Sequence, residues 1–332
     1  MVQVEGIMAA VKAEAAKIDA FMRADLSRLQ ATTDALLLEV LDYGLFNGGK
    51  RVRPLLVVLS ARLCGHSGDD AYTLGCAFEY LHAATLFHDD IIDNSTTRRG
   101  KPSVHQQFGT VAAILAGDFL HALAMSTVGR LAGDKGLKVF CDATTGMVDG
   151  EFLQLRNAEN LALSEQQYSD AITMKTGLLI AAACEVGAIY GGGNALQVKA
   201  LRDYGVHLGC AFQIIDDLLD YLGNPGKTGK MVGNDLVEGK MTLPLILALN
   251  QAAPRDKARL QAILAAREER AACIGETAAL IESAGGFSGA RAQAVAAVEN
   301  GIAALQVFSS GSNPYERNVL EGLARYVLTR DK

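Results

Sequence analysis

The sequence contains no tryptophan, only 6 prolines in 332 residues and 6% aromatic side chains. Sparse proline leaves long stretches free to run as helix, because proline breaks a helix interior. The six cysteines, Cys64, Cys76, Cys141, Cys184, Cys210 and Cys273, never reach the paired C-x-x-C spacing of a zinc or redox site. Placed mostly in apolar segments, they read as free core thiols of a reducing compartment. A basic excess is also missing: 31 Lys+Arg face 37 Asp+Glu for a net charge of -6, so bulk electrostatics argue against a nucleic-acid partner. Glu5 precedes any lysine, and Val4, Ile7, Met8, Val11, Ile18, Phe21 and Met22 recur at helical spacing, so no secretory signal is expected. The longest apolar stretches are interrupted by Asp118 and Glu185, and none offers the uncharged run that a membrane span needs. A cytoplasmic protein without a transmembrane segment is the expectation.

What is present is helix. Half the residues are hydrophobic, enough for a large buried core and too many for disorder. Pro54, Pro102 and Pro244 stand at the start of apolar periodic runs, a position proline tolerates, while Pro225, Pro254 and Pro314 fall in connections. Leu201, Tyr204, Leu208, Phe212, Ile215 and Leu219 recur with the helical period, and alternating strand patterns are scarce. With no linker and no short-period repeat, residues 1–332 read as a single all-α domain.

Two acidic echoes interrupt the apolar pattern. Asp89-Asp90-Ile91-Ile92-Asp93 and Asp216-Asp217-Leu218-Leu219-Asp220 share their spelling 127 residues apart. On a helix, i and i+4 share a face, so Asp89 pairs with Asp93 and Asp216 with Asp220. Carboxylates among leucines and isoleucines are costly without compensating cations. Two such ladders facing one cavity suit a hard divalent ion, Mg2+ above all, which prefers oxygen ligands and takes one or two carboxylates together with substrate phosphates. A solvated acidic stripe is the alternative for either motif taken alone. Cations lie close by in sequence. Gly48-Gly49-Lys50-Arg51-Val52-Arg53-Pro54 joins a glycine turn to a new helix N-terminus, where free N–H groups and the helix dipole favour an anion. Arg98-Arg99-Gly100-Lys101-Pro102 repeats the arrangement after the first acidic motif, and guanidinium forks match phosphate oxygens.

These segments, with Phe87-His88, Gly117-Asp118, Gly150-Glu151, Lys175-Thr176, Gln213-Ile214-Ile215 and Gly239-Lys240, resemble the trans-prenyl diphosphate synthases in order and spacing from about residue 40 to about residue 250. The resemblance implies the isoprenoid synthase fold, a single all-α helical bundle around a deep central cavity, as a homodimer. It implies Mg2+ held by Asp89, Asp93, Asp216 and Asp220. Lys50, Arg53, His82 and Arg99 would bind the diphosphate of isopentenyl diphosphate. Arg98, Lys175, Thr176, Gln213, Lys230 and Lys240 would surround the allylic diphosphate, with Asp89, Asp93, Asp216, Lys175 and Lys240 as the catalytic set. His88 has no such role and reads as structural, whereas His82 lies two turns before Asp89 on the same face.

In the family, the chain grows beneath the first acidic motif, and bulky residues four or five places before it stop growth. Here those places hold Thr85 and Ala84, both small, and only two residues separate the aspartates. The expected product is a long all-trans polyprenyl diphosphate of about eight isoprene units, C40, a quinone side-chain precursor, with Met125 near the cavity floor. Its insolubility in water implies a transient membrane contact on release. The alternatives are a shorter farnesyl or geranylgeranyl diphosphate synthase and a class I terpene cyclase. The cyclase fits less well, since its second metal motif usually carries Asn, Ser and Glu. Glu79-x-x-His82 hints at a di-iron site, but such sites need a second copy. Gly226-Lys227-Thr228 lacks the first glycine of a P-loop, where Tyr221 stands.

Overall fold

The computed structural model describes residues 4–223, 232–308 and 313–330. The chain runs through α1 (Val4–Leu29), α2 (Ala35–Leu45), α3 (Val52–Leu63) and α4 (Asp70–Ile92), then a small hairpin of β1 (Thr97–Arg98) and β2 (Lys101–Pro102). There follow α5 (Val104–Phe108), α6 (Thr110–Asn157), α7 (Glu165–Ile172), a π turn (Thr173–Gly177), α8 (Leu178–Tyr190) and α9 (Ala195–Leu222). The last elements are α10 (Asn234–Glu238), α11 (Leu243–Gln251), α12 (Pro254–Ala265), a 3-10 turn (Arg267–Cys273), α13 (Ile274–Ser283), α14 (Gly286–Ala304), a second 3-10 turn (Leu305–Phe308) and α15 (Pro314–Val327). The all-α expectation holds, the two-residue strands being the only sheet among the described residues.

Proline placement needs correction. Pro254 and Pro314 open α12 and α15, Pro244 is the second residue of α11 and Pro54 the third of α3, so four prolines occupy first-turn positions where the missing N–H costs nothing. Pro102 opens no helix; it sits in β2, opposite Thr97. The periodic stripe of α9 is inward, with Leu201, Tyr204, Leu208 and Ile215 all buried.

The helices group into two compact units. One comprises residues 1–141, 182–202 and 307–322, the other residues 142–181, 203–306 and 323–332. In the first, α3 packs on α4, and the two helices supply Leu55, Leu56, Leu59, Tyr72, Phe78 and Tyr80, all almost fully buried. In the second, α11 is apolar all round (Leu243, Leu245, Ile246, Leu247 and Leu249 are buried) and is covered by α13 and α14, as expected of a core helix. All six cysteines are free thiols, with Cys76 and Cys184 buried.

Two helical runs, Thr110–Asn157 and Glu165–Tyr190, are long and apolar enough by length and composition to cross a bilayer, more than the interrupting Asp118 and Glu185 led us to expect. The second run keeps most of its apolar window packed inside the protein and is broken by the π turn. The first breaks at Gly133, whose φ of 63° lies in the left-handed region, and it leaves Val111, Ile114 and Leu115 exposed on one face.

Candidate functional site

In the first unit, the acidic motif ends α4. Asp93 caps the helix and its N–H donates to the Asp89 carbonyl at 2.8 Å, which places the two carboxylates one turn apart, Asp89 half-buried and Asp93 exposed. Asp90, a hundred degrees round the helix, turns inward and is 1% exposed. It holds Arg98 through both carboxylate oxygens, with Nε at 2.9 and 2.8 Å and Nη2 at 2.7 Å. Arg98 lies on β1, and the hairpin turns through Arg99 and Gly100, both at positive φ, the conformation of a tight two-residue hairpin turn. The turn throws Arg99 back onto the glycine loop, where its Nη1 donates to the carbonyls of Asn47 and Gly48, while Asn47 Nδ2 donates to the Arg98 carbonyl at 3.2 Å.

The three cations of that loop differ in kind. Arg51 is 4% exposed and wholly engaged, to Asp19 at 2.8 Å, to Glu79 at 2.7 Å and to the Leu45 carbonyl at 2.6 Å. It is a structural brace, and it also accounts for Glu79 of the Glu-x-x-His pair. No group of three or more His, Cys, Asp or Glu suited to a metal occurs among the described residues. Arg53 stands on the first turn of α3 with its Nε shut off from solvent and without a hydrogen-bond partner. Lys50 is exposed. His82 lies near Arg53, Arg99, Arg98 and Arg51, and burial first, then these positive neighbours, hold it well below the usual histidine range, so it is neutral. Burial, with Arg51 and Arg98 as like charges, likewise pushes Arg99 down. Arg51 and Arg98 are already paired with carboxylates, which leaves Arg53 and Arg99 beside the neutral imidazole as the guanidinium groups suited to a polyanion with bidentate oxygens. His88 is drawn elsewhere, its Nε2 3.2 Å from the Ile114 carbonyl.

In the second unit, the other acidic motif lies near the end of α9. Asp216 is exposed and Asp220 half-buried, one turn apart, while Asp217 is buried and accepts from Tyr168 Oη at 2.6 Å and Gln213 Nε2 at 2.9 Å. Gln213 in turn accepts from Thr176 Oγ1 at 2.9 Å. Burial, then the neighbouring Asp235, pushes Asp220 up to about 6, and the same causes push Asp217 up to about 7. The Asp220 backbone carbonyl accepts from the Gly233 N–H at 2.7 Å, and its carboxylate accepts from the Asp235 N–H at 3.1 Å. Asp235 pairs with Lys240, which also meets Glu238 at 2.6 Å. At the other end of the chain, Arg330 reaches Asp216 at 3.4 Å and lies over the Phe212 ring.

Lys175 and Thr176 owe their position to the π turn, where one extra residue widens the helix, a feature frequent at functional sites. Glycine makes room for it. A Cβ at Gly150 would lie 2.6 Å from the Lys175 nitrogen, and one at Gly209 would lie 2.7 Å from Gly177 Cα. Lys175 Nζ then reaches Gln154 at 2.5 Å and Glu151 at 2.7 Å. Gly150→Ala is therefore expected to displace Lys175 and lower kcat/KM about tenfold to a hundredfold. Steady-state kinetics checks this, with circular dichroism showing that the variant is folded; wild-type kinetics would remove the Gly150 contact from the account.

Of the residues expected from sequence, the first unit thus gathers Arg53, His82, Arg98 and Arg99 and carries Asp89, Asp93 and Lys50. The second gathers Lys175 with Glu151 and Gln154, Thr176 with Gln213, and Lys240 with Asp235. Lys230, with Gly226-Lys227-Thr228, lies outside the described residues. Sequence reasoning missed Asp235, Glu151 and Gln154 as members of the site. Asp235 could have been found from its place in the polar segment before Gly239-Lys240, and Glu151 from its pairing with Gly150.

Among the described residues the carboxylates come in pairs and not in threes, and a pair of carboxylates completed by substrate phosphates fits a hard divalent cation. Both ladders stand at helix C-terminal ends, where a carboxylate opposes the macrodipole, and Asp217, Asp220 and Asp235 are each raised by burial and by acidic neighbours. An oxygen-only donor set under such repulsion suits Mg2+ or Ca2+ more than a softer metal.

Comparison with known proteins agrees. The polyprenyl synthetase family model matches residues 34–281. The chain is 36% identical over 304 residues to octaprenyl diphosphate synthase of Escherichia coli, covering 91% of this chain and 93% of that protein. It is 38% identical over 304 residues to a short chain isoprenyl diphosphate synthase of Methanothermobacter thermautotrophicus, covering 90% and 92%. A crystal structure of polyprenyl synthase from Caulobacter crescentus, complexed with calcium and isoprenyl diphosphate, superposes with a TM-score of 0.88 at 35% identity, covering 99% of this chain and 98% of that one. The protein belongs to the polyprenyl synthetase family, with the all-α isoprenoid synthase fold, and is a prenyltransferase.

Proposed function

We propose that this enzyme condenses isopentenyl diphosphate head to tail with an allylic prenyl diphosphate, repeatedly, to give an all-trans polyprenyl diphosphate of about eight isoprene units, C40, used as a quinone side-chain precursor. The observation that carries the proposal is that Arg53, Arg98 and Arg99 gather near His82, on the helix that ends in Asp89 and Asp93, with Arg99 bonded back onto the loop at Asn47 and Gly48. Arg53, Arg99, His82 and the exposed Lys50 bind the diphosphate of isopentenyl diphosphate. Arg98, Lys175, Thr176, Gln213 and Lys240, with Lys230, take the allylic diphosphate. Asp89 with Asp93, and Asp216 with Asp220, would hold Mg2+, which when bound would supply Lewis-acid stabilisation of the departing diphosphate.

Lys175 and Lys240 offset the charge that develops as the allylic C–O bond breaks and diphosphate leaves. The double bond of isopentenyl diphosphate then attacks the allylic carbocation, forming the new C–C bond, and the released diphosphate takes the proton that is lost. The protein fixes geometry and excludes water, and no side-chain nucleophile is required. The chain acts as a single domain over residues 1–332, consistent with a family match that runs through both units. It works in the cytoplasm as a homodimer, supported by the exposed apolar face Val111, Ile114 and Leu115 of α6, and contacts a membrane transiently to release product. A shorter product is the second reading, favoured by the short-chain relative.

The test is to incubate the purified protein with Mg2+, labelled isopentenyl diphosphate and farnesyl diphosphate, and to size the dephosphorylated products. A ladder ending near eight units, abolished by EDTA, is expected. A stop at three or four units would keep the chemistry and overturn the length, and no elongation would overturn the proposal.

A further inference from the structure

Lys240 stands at the end of a short segment that is pinned from both sides. On one side, Asp220 accepts from Gly233 and Asp235, and the Lys240 N–H donates to the Asp235 carbonyl at 2.8 Å. On the other side lies Arg270, in the 3-10 turn Arg267–Cys273, with a side chain 2% exposed. Its Nε donates to the Leu264 carbonyl at 3.1 Å, as does its Nη2, while Nη1 reaches the Val237 carbonyl at 3.5 Å. Nη2 also meets Glu159 Oε1 at 2.9 Å. Glu159 holds a left-handed φ of 61°, unfavourable for a residue with a Cβ, and in that conformation its N–H donates to the Gly239 carbonyl at 3.0 Å. Gly239, at φ 76°, fits against the same pair: a Cβ there would lie 2.6 Å from Arg270 Nη1 and 3.0 Å from Glu159 Cγ.

A buried guanidinium costs stability unless its donors are met, and these donors meet the Leu264 carbonyl, the Val237 carbonyl just before Glu238, and the carboxylate of Glu159, whose own N–H holds the Gly239 carbonyl just after it. We infer that Arg270, acting through Glu159 and the Val237 and Gly239 carbonyls, is a positioning residue that fixes where Lys240 presents its ammonium to the allylic diphosphate. The inference rests on the proposed role of Lys240. Arg267 also pairs with Glu159, at 2.9 Å, but its side chain is 75% exposed, so it adds little.

The test is steady-state kinetics on the full chain with Mg2+, varying each substrate separately, with circular dichroism reporting the folded fraction. Arg270→Met is expected to raise KM for the allylic diphosphate about tenfold and to leave KM for isopentenyl diphosphate within about twofold. Glu159→Gln shifts the same constant in the same direction by about threefold, and because that side chain is partly exposed it decides the matter should Arg270→Met fail to fold. In a Lys240→Met background, Arg270→Met adds less than about twofold, since the two changes act on one contact. If Lys240→Met raises the allylic KM but Arg270→Met and Glu159→Gln do not, and kcat falls only with the folded fraction, Arg270 is a core brace and the inference is overturned. If Lys240→Met itself leaves the allylic KM unchanged, the role of Lys240 fails and the inference fails with it.

Discussion

Asp89→Ala removes most turnover, by about a thousandfold in kcat, without unfolding the protein. A metal ion that polarises a phosphoryl oxygen contributes several kcal/mol of transition-state stabilisation, and about 4 kcal/mol corresponds to that factor. The backbone bond that ends the helix does not depend on this carboxylate. Asp89 is half-buried at the C-terminal end of α4, and the bond that the helix needs there, from the Asp93 N–H to the Asp89 carbonyl, is a backbone bond that alanine keeps. A carboxylate in that place opposes the helix dipole by roughly 0.3–1 kcal/mol. Without metal, Asp89→Ala is therefore expected to stay folded and to unfold in one transition, as the wild type does. Added Mg2+ should raise the melting temperature of the wild type more than that of the variant. Asp90→Ala is the contrast: it strands Arg98, whose guanidinium is bound to a carboxylate 1% exposed, and loses stability as well as activity. Kinetics and calorimetry on the pair separate the two roles, and wild-type turnover in Asp89→Ala would refute the metal assignment.

That contrast shows what the sequence could and could not convey. The helical period alone puts the first and last aspartates of each motif on one face, and the structure places them so. The same period turns the middle aspartate away, and Asp90 and Asp217 are indeed the buried members. Their partners were not legible. Arg98 is close in sequence, but Tyr168 lies 49 residues from Asp217 and Arg270 lies 111 residues from Glu159, and only tertiary packing brings such pairs together. The basic loop was legible as charge but not as geometry, because three cations within four residues give no hint that Arg51 is committed to Asp19 and Glu79 while Arg53 is not. Lys175-Thr176-Gly177 showed a glycine that weakens a helix. The reason for it, close approach at Gly150 and Gly209 to a π turn, lies in residues outside that motif.

Product length is where the structure divides two residues that the sequence treats alike. Ala84 and Thr85 are both small and both stand just before the first acidic motif, but Ala84 is 2% exposed, packed within the first unit. Thr85 is half-buried and one turn before Asp89 on the same face, with its hydroxyl already satisfied by the His82 carbonyl at 2.8 Å. A bulky side chain at 85 follows the direction of Asp89, whereas one at 84 enters close-packed core. Thr85→Phe is therefore expected to keep prenyl transfer and to shorten the product to about three or four isoprene units, as a ring fills space that a growing apolar chain would use. Ala84→Phe is expected to lower stability by about 1–3 kcal/mol through overpacking, with shortening as a secondary effect. Sizing the dephosphorylated products of both variants beside their denaturant unfolding curves tests the division. If Thr85→Phe makes the wild-type product while Ala84→Phe shortens it, the growing chain runs along the face of α4 that holds Ala84, and the assignment of the Asp89 face to chain growth is wrong.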